Sequence, residues 1–265
     1  MPNIPLPPLS YRELVGPTED RFFDNPTGGV VFPALPPAPY DFVLDFGCGC
    51  GRIARQLIQQ EPRPKRYVGI DLHAGMIQWC RENLAPIAPG FEFQHHDVYN
   101  PGFNPQSTAR HLPFPVPDRC VSLALAWSVF THINEAQTLF YLGEMARVLR
   151  PDGIVLSTWF LFDKSDFPMM QEFQNALFIN ETDPTNAVIF DRDWVKSSIK
   201  NAGLRILRIM PPEIFGYQWQ LWLTPDRPGL SEARFPTDAA PKGRLAPPLG
   251  SPKAAAAKSS ADLEP

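Results

Sequence analysis

A run of alternating glycines between an apolar stretch and an amphipathic one, VLDFGCGCGR at residues 43–52, constrains this chain more than any other feature. Glycine has no Cβ, so it adopts positive φ readily and lets a ligand or another segment approach the main chain. Placed after a buried strand and before a helix, such a turn belongs to a doubly wound α/β sheet, whose ligands sit at the carboxyl ends of the strands. The turn also raises a question of sign. Turns of this kind usually cradle phosphate, yet a carboxylate, Asp45, stands two positions ahead of the first glycine.

The pattern around the turn supports that architecture. FVLDF, RYVGID, FEFQHHD, CVSLALA and GIVLSTWF read as buried strands, and RIARQLIQQ and HAGMIQWCRENL as amphipathic helices after the first two. A longer helix runs through EAQTLFYLGEMARVL; Asn134 caps it with Gln137 reaching back, and RPDG should close it with a turn. After a helix at RDWVKSSIKNAGL come two late strands, RILRIM and YQWQLWL, joined only by PPEIFG. A parallel crossover needs roughly a dozen residues or more, so one late strand must run antiparallel. The expectation is a Rossmann-like, doubly wound seven-stranded α/β sheet, mostly parallel.

Length and composition set the boundaries. At 265 residues the chain suits one α/β domain, expected over 40–225 with an aromatic-rich insertion at about 161–190. Residues 1–39 form a proline-rich arm, a candidate lid, in which SYRE at Ser10–Glu13 has capping-box spacing for a short helix. Residues 226–265, rich in Pro, Ala and Ser, are expected to be a disordered tail.

With 24 Lys and Arg against 28 Asp and Glu, the formal net charge is -4, so no global positive field draws nucleic acid, which is disfavoured as a partner. No signal peptide or membrane-length apolar run is visible, so a cytoplasmic protein without membrane insertion is expected. Cys48, Cys50, Cys80 and Cys120 lack paired metal spacing, and His95 and His96, neighbours on a strand, point to opposite faces; no metal is expected.

A dinucleotide fingerprint can be laid over Gly49, Gly51 and Ala54, with Asp71 as the ribose acid. Asp45 opposes that reading, because a carboxylate beside pyrophosphate in a low-dielectric crevice is repulsive. A cationic ligand without phosphate reverses the sign. The stretch Asp45-Phe46-Gly47-Cys48-Gly49-Cys50-Gly51 resembles the first motif of the class I S-adenosylmethionine-dependent methyltransferases, and the resemblance extends from about Tyr40 to Leu223. GIDLHAGMI, QHHDV, LALAWSVFTHI and ARVLRPDGIVLST match the later motifs in order, and the nearest relatives suggested are bacterial enzymes acting on small molecules, glycans or lipids.

The resemblance implies S-adenosylmethionine as cofactor, held by Asp45, Gly47, Cys48, Gly49 and Gly51 of the first motif and by Asp71 and Leu72 after the second strand. It further implies Asp97 and Val98 near the adenine and Trp127 and Ser128 along the methionine part. Each position also has a structural role open to it: glycines shape turns, and Asp71 directly precedes a helix it can cap. The implied acceptor is a small molecule, glycan or lipid, methylated on oxygen. A hydroxyl acceptor needs a base, and His132, in the loop before the Asn134 cap, is the candidate; bracing that loop through a backbone carbonyl is its alternative role. A nicotinamide-dependent oxidoreductase and a non-catalytic S-adenosylmethionine-binding module remain the competing readings.

Overall fold

A computed structural model describes residues 4–35, 40–180, 182–212 and 217–236. The stretch expected to be a disordered tail lies largely outside these residues, as does part of PPEIFG. α1 (Leu9–Leu14) precedes β1 (Phe42–Phe46), and α2 (Arg52–Gln59), β2 (Arg66–Asp71), α3 (Ala74–Asn83) and β3 (Phe91–His95) follow. Next come β4 (Val121–Ala126), α4 (Glu135–Val148) and β5 (Leu149–Phe162). The chain continues through β6 (Ala176–Phe178), β7 (Val188–Asp191), α5 (Arg192–Asn201), β8 (Leu204–Met210) and β9 (Trp219–Pro225).

The strands β3, β2, β1, β4 and β5 lie side by side and parallel. β9 pairs antiparallel with β5, and β8 antiparallel with β9. This is the expected mostly parallel sheet with one reversed late strand. Among the described residues it has nine strands rather than seven. β5 overshoots its neighbours, and Phe160–Phe162 pair with β7, to which β6 adds antiparallel. Strands of three and four residues carry too little periodicity to read from sequence; the free edge of β5 supplies their pairing.

Two further expectations fail locally. At RPDG a bulge replaces the turn: β5 begins at Leu149, and the register against β4 shifts between Val121 and Leu123. SYRE forms no capping box, because α1 starts at Leu9 behind Pro8 and has no side-chain cap. The Asn134–Gln137 box does form, with both reciprocal bonds present.

β1 and β4 are buried throughout, with apolar side chains alternating between two cores. Leu44, Val68 and Ala124 meet α4 on one face; Val43, Tyr67 and Leu123 meet α2 and α3 on the other. Each large apolar side chain so buried stabilises the fold by roughly 1.5–3 kcal/mol. In the loop after β4, Phe130 stacks on Trp159 with ring centroids 4.0 Å apart, which fixes that loop against β5.

The N-terminal arm is held to α2 by one residue above all. Arg55, 7% exposed, donates to the carbonyls of Ile4, Pro5 and Phe23 and pairs with the Asp24 carboxylate. Its planar fork satisfies several acceptors that would otherwise be buried without donors.

Candidate functional site

At the carboxyl ends of β1, β2 and β4 lies a cavity of about 480 Å³, within the range for a small-molecule site. It forms where the strand order reverses, since β1 sends its chain to one side and β4 to the other. The tips of these strands and the loops after them supply most of the wall. The arm adds Glu13 to Gly16.

Asp45 sits on this wall and is 1% exposed. Its Oδ2 accepts the Tyr67 hydroxyl at 2.7 Å, while Oδ1 is buried without any partner. Burial pushes the Asp45 carboxyl up to about 7, against the Tyr67 bond and the nearby Arg52 charge, which favour the carboxylate. Arg52, which sequence reasoning passed over as a helix residue, also lines the cavity and is itself lowered by burial. Even so, three carboxylates, Glu13, Asp45 and Asp71, face one guanidinium there.

Gly47 and Gly49 line the cavity with φ of 78° and 54°. Their Cβ directions are filled by the protein itself: a Cβ at Gly47 would lie 2.4 Å from Val129, and one at Gly49 2.7 Å from Val15 of the arm. The glycines therefore let the arm and the loop after β4 close on the turn. Gly51 belongs elsewhere. It is the N-cap of α2, packed toward Leu84, and does not border the cavity. Cys48 borders it but is buried, its thiol raised well above the usual range by desolvation, so it is neutral. All four cysteines are free.

Asp71 reaches the cavity and makes a different bond from the helix cap that sequence allows. Its Oδ2 accepts the Gly49 amide and its Oδ1 the His73 amide, both at 2.8 Å, tying the glycine turn to β2. His73, not Asp71, caps α3. Leu72 and Val98 line the cavity. Asp97 does not: it lies on the surface, where the Asn104 amide donates to it and holds its pKa down.

Trp127 and Ser128 line the site beyond β4. Ser128 has a left-handed φ of 59°, its amide donates to Thr158 and its hydroxyl to Gln218, another wall residue that sequence did not signal. His132 also faces the cavity, and its Nδ1 lies 3.1 Å from the Thr185 carbonyl. A carbonyl only accepts, so Nδ1 carries the proton and Nε2 keeps its lone pair. The insertion thus contributes a brace rather than a wall; its Met169 and Phe173 are exposed and border no part of the cavity.

The donor set suits a cationic, organic ligand: an orphaned buried carboxylate oxygen and an excess of acids beside apolar wall. Among the described residues, no group of three or more His, Cys, Asp or Glu could hold a metal ion. No helix among them is long and apolar enough to cross a membrane.

A family model described as a methyltransferase domain matches residues 43–153. A fatty-acid O-methyltransferase of Mycolicibacterium smegmatis is 36% identical over 118 residues, 44% of this chain and 36% of that protein, so the match covers little more than a third of the relative's length. Among solved structures, a SAM-dependent methyltransferase from Aquifex aeolicus superposes with a TM-score of 0.52 at 16% identity, over 83% of this chain and 99% of the other. A geranyl diphosphate methyltransferase in complex with SAM gives 0.50 at 12% identity, over 71% and 79%. At these identities the two structures speak to the fold.

Proposed function

We propose that the chain, whose residues 43–153 match a methyltransferase domain, is a class I S-adenosylmethionine-dependent methyltransferase that transfers a methyl group from S-adenosylmethionine to an oxygen of a small-molecule, glycan or lipid acceptor. The observation that carries this reading is Asp45 Oδ1, a buried carboxylate oxygen without a partner in the wall of the strand-end cavity. A pyrophosphate there would meet a carboxylate; an ammonium or sulfonium would relieve it.

In this reading Asp45, Asp71, Leu72, Val98, Trp127 and Ser128, with the Gly47–Gly49 backbone, hold the cofactor. The sulfonium of bound S-adenosylmethionine supplies an electrophilic methyl group. The chain's task is to align an acceptor with it, to exclude water and to remove a proton. Val15 and its neighbours on the arm cover the glycine turn, which serves the exclusion of water. His132 is the base, because the Thr185 carbonyl fixes the tautomer that leaves Nε2 free to accept. The fatty-acid O-methyltransferase relative supports oxygen as the acceptor atom.

The test is to incubate the full chain with methyl-labelled S-adenosylmethionine and an extract of the source cells, and to identify the labelled product. A thermal shift with S-adenosylhomocysteine and none with NADH is expected. Stabilisation by NADH alone would point to an oxidoreductase, and tight cofactor binding without transfer to a binding module.

A further inference from the structure

Beyond the residues assigned above, the same cavity, also lined by His73 and His132, is bordered by His96, just past the end of β3. His95 turns away and bonds the Leu72 carbonyl through Nε2. His96 takes the opposite face, among Phe46, Phe114 and Tyr141, and is 6% exposed. Its Nε2 lies 2.9 Å from the Tyr141 hydroxyl.

The protons of this pair can be placed. Burial keeps Tyr141 protonated, pushed up to about 12, and the Leu112 backbone bonds to its phenol oxygen. Among the described residues the acceptor within reach of the phenol hydrogen is His96 Nε2, so the hydroxyl donates to it; a protonated Nε2 would leave that hydrogen without an acceptor. Burial likewise holds His96 down at about 4, against the attraction of Glu144, so the ring is neutral and has one proton. That proton is on Nδ1, which makes no hydrogen bond within the described residues.

Two of the imidazoles at the cavity therefore present opposite groups to it. His132 offers an acceptor at Nε2, and His96 a donor at Nδ1. Building on the methyltransferase reading, we propose that His96, oriented by Tyr141, binds the acceptor oxygen and that the pair of histidines selects an uncharged hydroxyl over a carboxylate or an amine.

A hydroxyl oxygen has two lone pairs. One accepts from His96 Nδ1–H while the other attacks the methyl carbon, and its hydrogen passes to His132 Nε2. The O–H bond breaks as the O–CH3 bond forms, and the S–CH3 electron pair stays on sulfur, giving a methyl ether, S-adenosylhomocysteine and a protonated His132. An amine nitrogen has a single lone pair and cannot both accept and attack. A carboxylate has no hydrogen for His132 and leaves that lone pair facing an anion, a mismatch that buried sites reject strongly. The three acids on the wall add to the rejection.

The deciding experiment works with an acceptor of unknown identity. Full-length protein is incubated with methyl-labelled S-adenosylmethionine and cell extract, and the products are treated with mild alkali. Methyl esters release labelled methanol; methyl ethers do not. Base-stable label on oxygen is the expected result, whereas volatile label, or label on nitrogen, overturns the hydroxyl assignment while leaving methyl transfer intact. Absence of any label removes the underlying reading as well.

Long-range 1H–15N correlation on the wild-type protein gives the tautomers directly. Both His96 and His132 are expected as the Nδ1–H form, and His96 protonated at Nε2 overturns the proposal. In Tyr141→Phe, His96 should become a tautomer mixture, and kcat/KM for the acceptor should fall about tenfold with unchanged cofactor affinity. A merely structural Tyr141 would leave the His96 tautomer where it was.

Discussion

The Tyr67 hydroxyl donates to Asp45 Oδ2 at 2.7 Å and leaves Oδ1 as a buried acceptor with nothing to accept. One strand thus half-satisfies the acid on its neighbour, since Asp45 of β1 stands beside Gly69 of β2, two residues from Tyr67. The missing half is what a ligand can supply. That division explains why an acid sits at the tip of the central strand of an otherwise apolar layer.

Affinity for S-adenosylmethionine should therefore depend on pH. The Asp45 carboxyl is raised to about 7 in the free protein, and a cationic ligand favours its ionised form. Binding then releases a proton below that value, so affinity should climb as pH rises toward about 7 and level off above it. The slope is at most about tenfold per pH unit. Calorimetric titration from mildly acidic to mildly alkaline pH measures it. Asp45→Asn should flatten the slope and weaken binding; a variant with the wild-type profile would assign the dependence to another group.

Gly49→Ala should both strain the turn and lift the arm. A left-handed φ of 54° costs a non-glycine residue on the order of 1 kcal/mol, and the new Cβ collides with Val15. Adding Val15→Ala should remove the collision but not the strain, recovering part of the lost stability. Thermal melts of the two single variants and the double variant separate these contributions; strict additivity would show that Val15 and Gly49 do not meet.

Arg55→Ala should release the arm. The change leaves the Ile4 and Pro5 carbonyls and the Asp24 carboxylate without their Arg55 donor, and the Phe23 carbonyl with only a long bond from Gln59, at a cost of about 3 kcal/mol. Limited proteolysis should then cut within residues 1–30 while the sheet domain survives. An arm that stays protected in the variant would mean that the apolar contacts of Phe23 and Ile4 suffice.

His132→Asn should lower kcat by roughly 10²–10⁴ with cofactor affinity close to wild type, as expected when a general base is lost. Binding and single-turnover measurements distinguish this from a brace. If the histidine only holds the insertion through Thr185, turnover should track thermal stability rather than base strength.

His96 makes a separate prediction about stability in acid. Its folded pKa, about 4, lies below the unfolded value, so the unfolded chain takes up a proton first as pH falls. Stability from this group is complete above about 6.5 and lost progressively down to about 4, by up to roughly 3 kcal/mol. Denaturant titrations at neutral pH and near the folded pKa should show His96→Phe losing less stability between the two than wild type does.

What sequence determined alone was the frame. Apolar runs such as FVLDF and VSLALA, separated by helix-period stretches, required a parallel sheet, because buried strands and amphipathic helices have few other ways to cover one another. The short link at PPEIFG required a reversed strand, and the Asn134–Gln137 box fixed a helix start from local chemistry. These are local or pairwise constraints, and such constraints can be read along a chain.

The rest depended on what lies opposite. Asp97, in motif position, is on the surface; Gly51 serves α2; Asp71 ties a turn instead of capping a helix. Arg52, Gln218, Arg55 and the His96–Tyr141 pair carry no spacing signal, since their partners are 37, 90, 51 and 45 residues away. Burial, proton position and an unsatisfied oxygen arise only when distant segments exclude water together, and that is a property of the folded volume, not of any stretch of sequence.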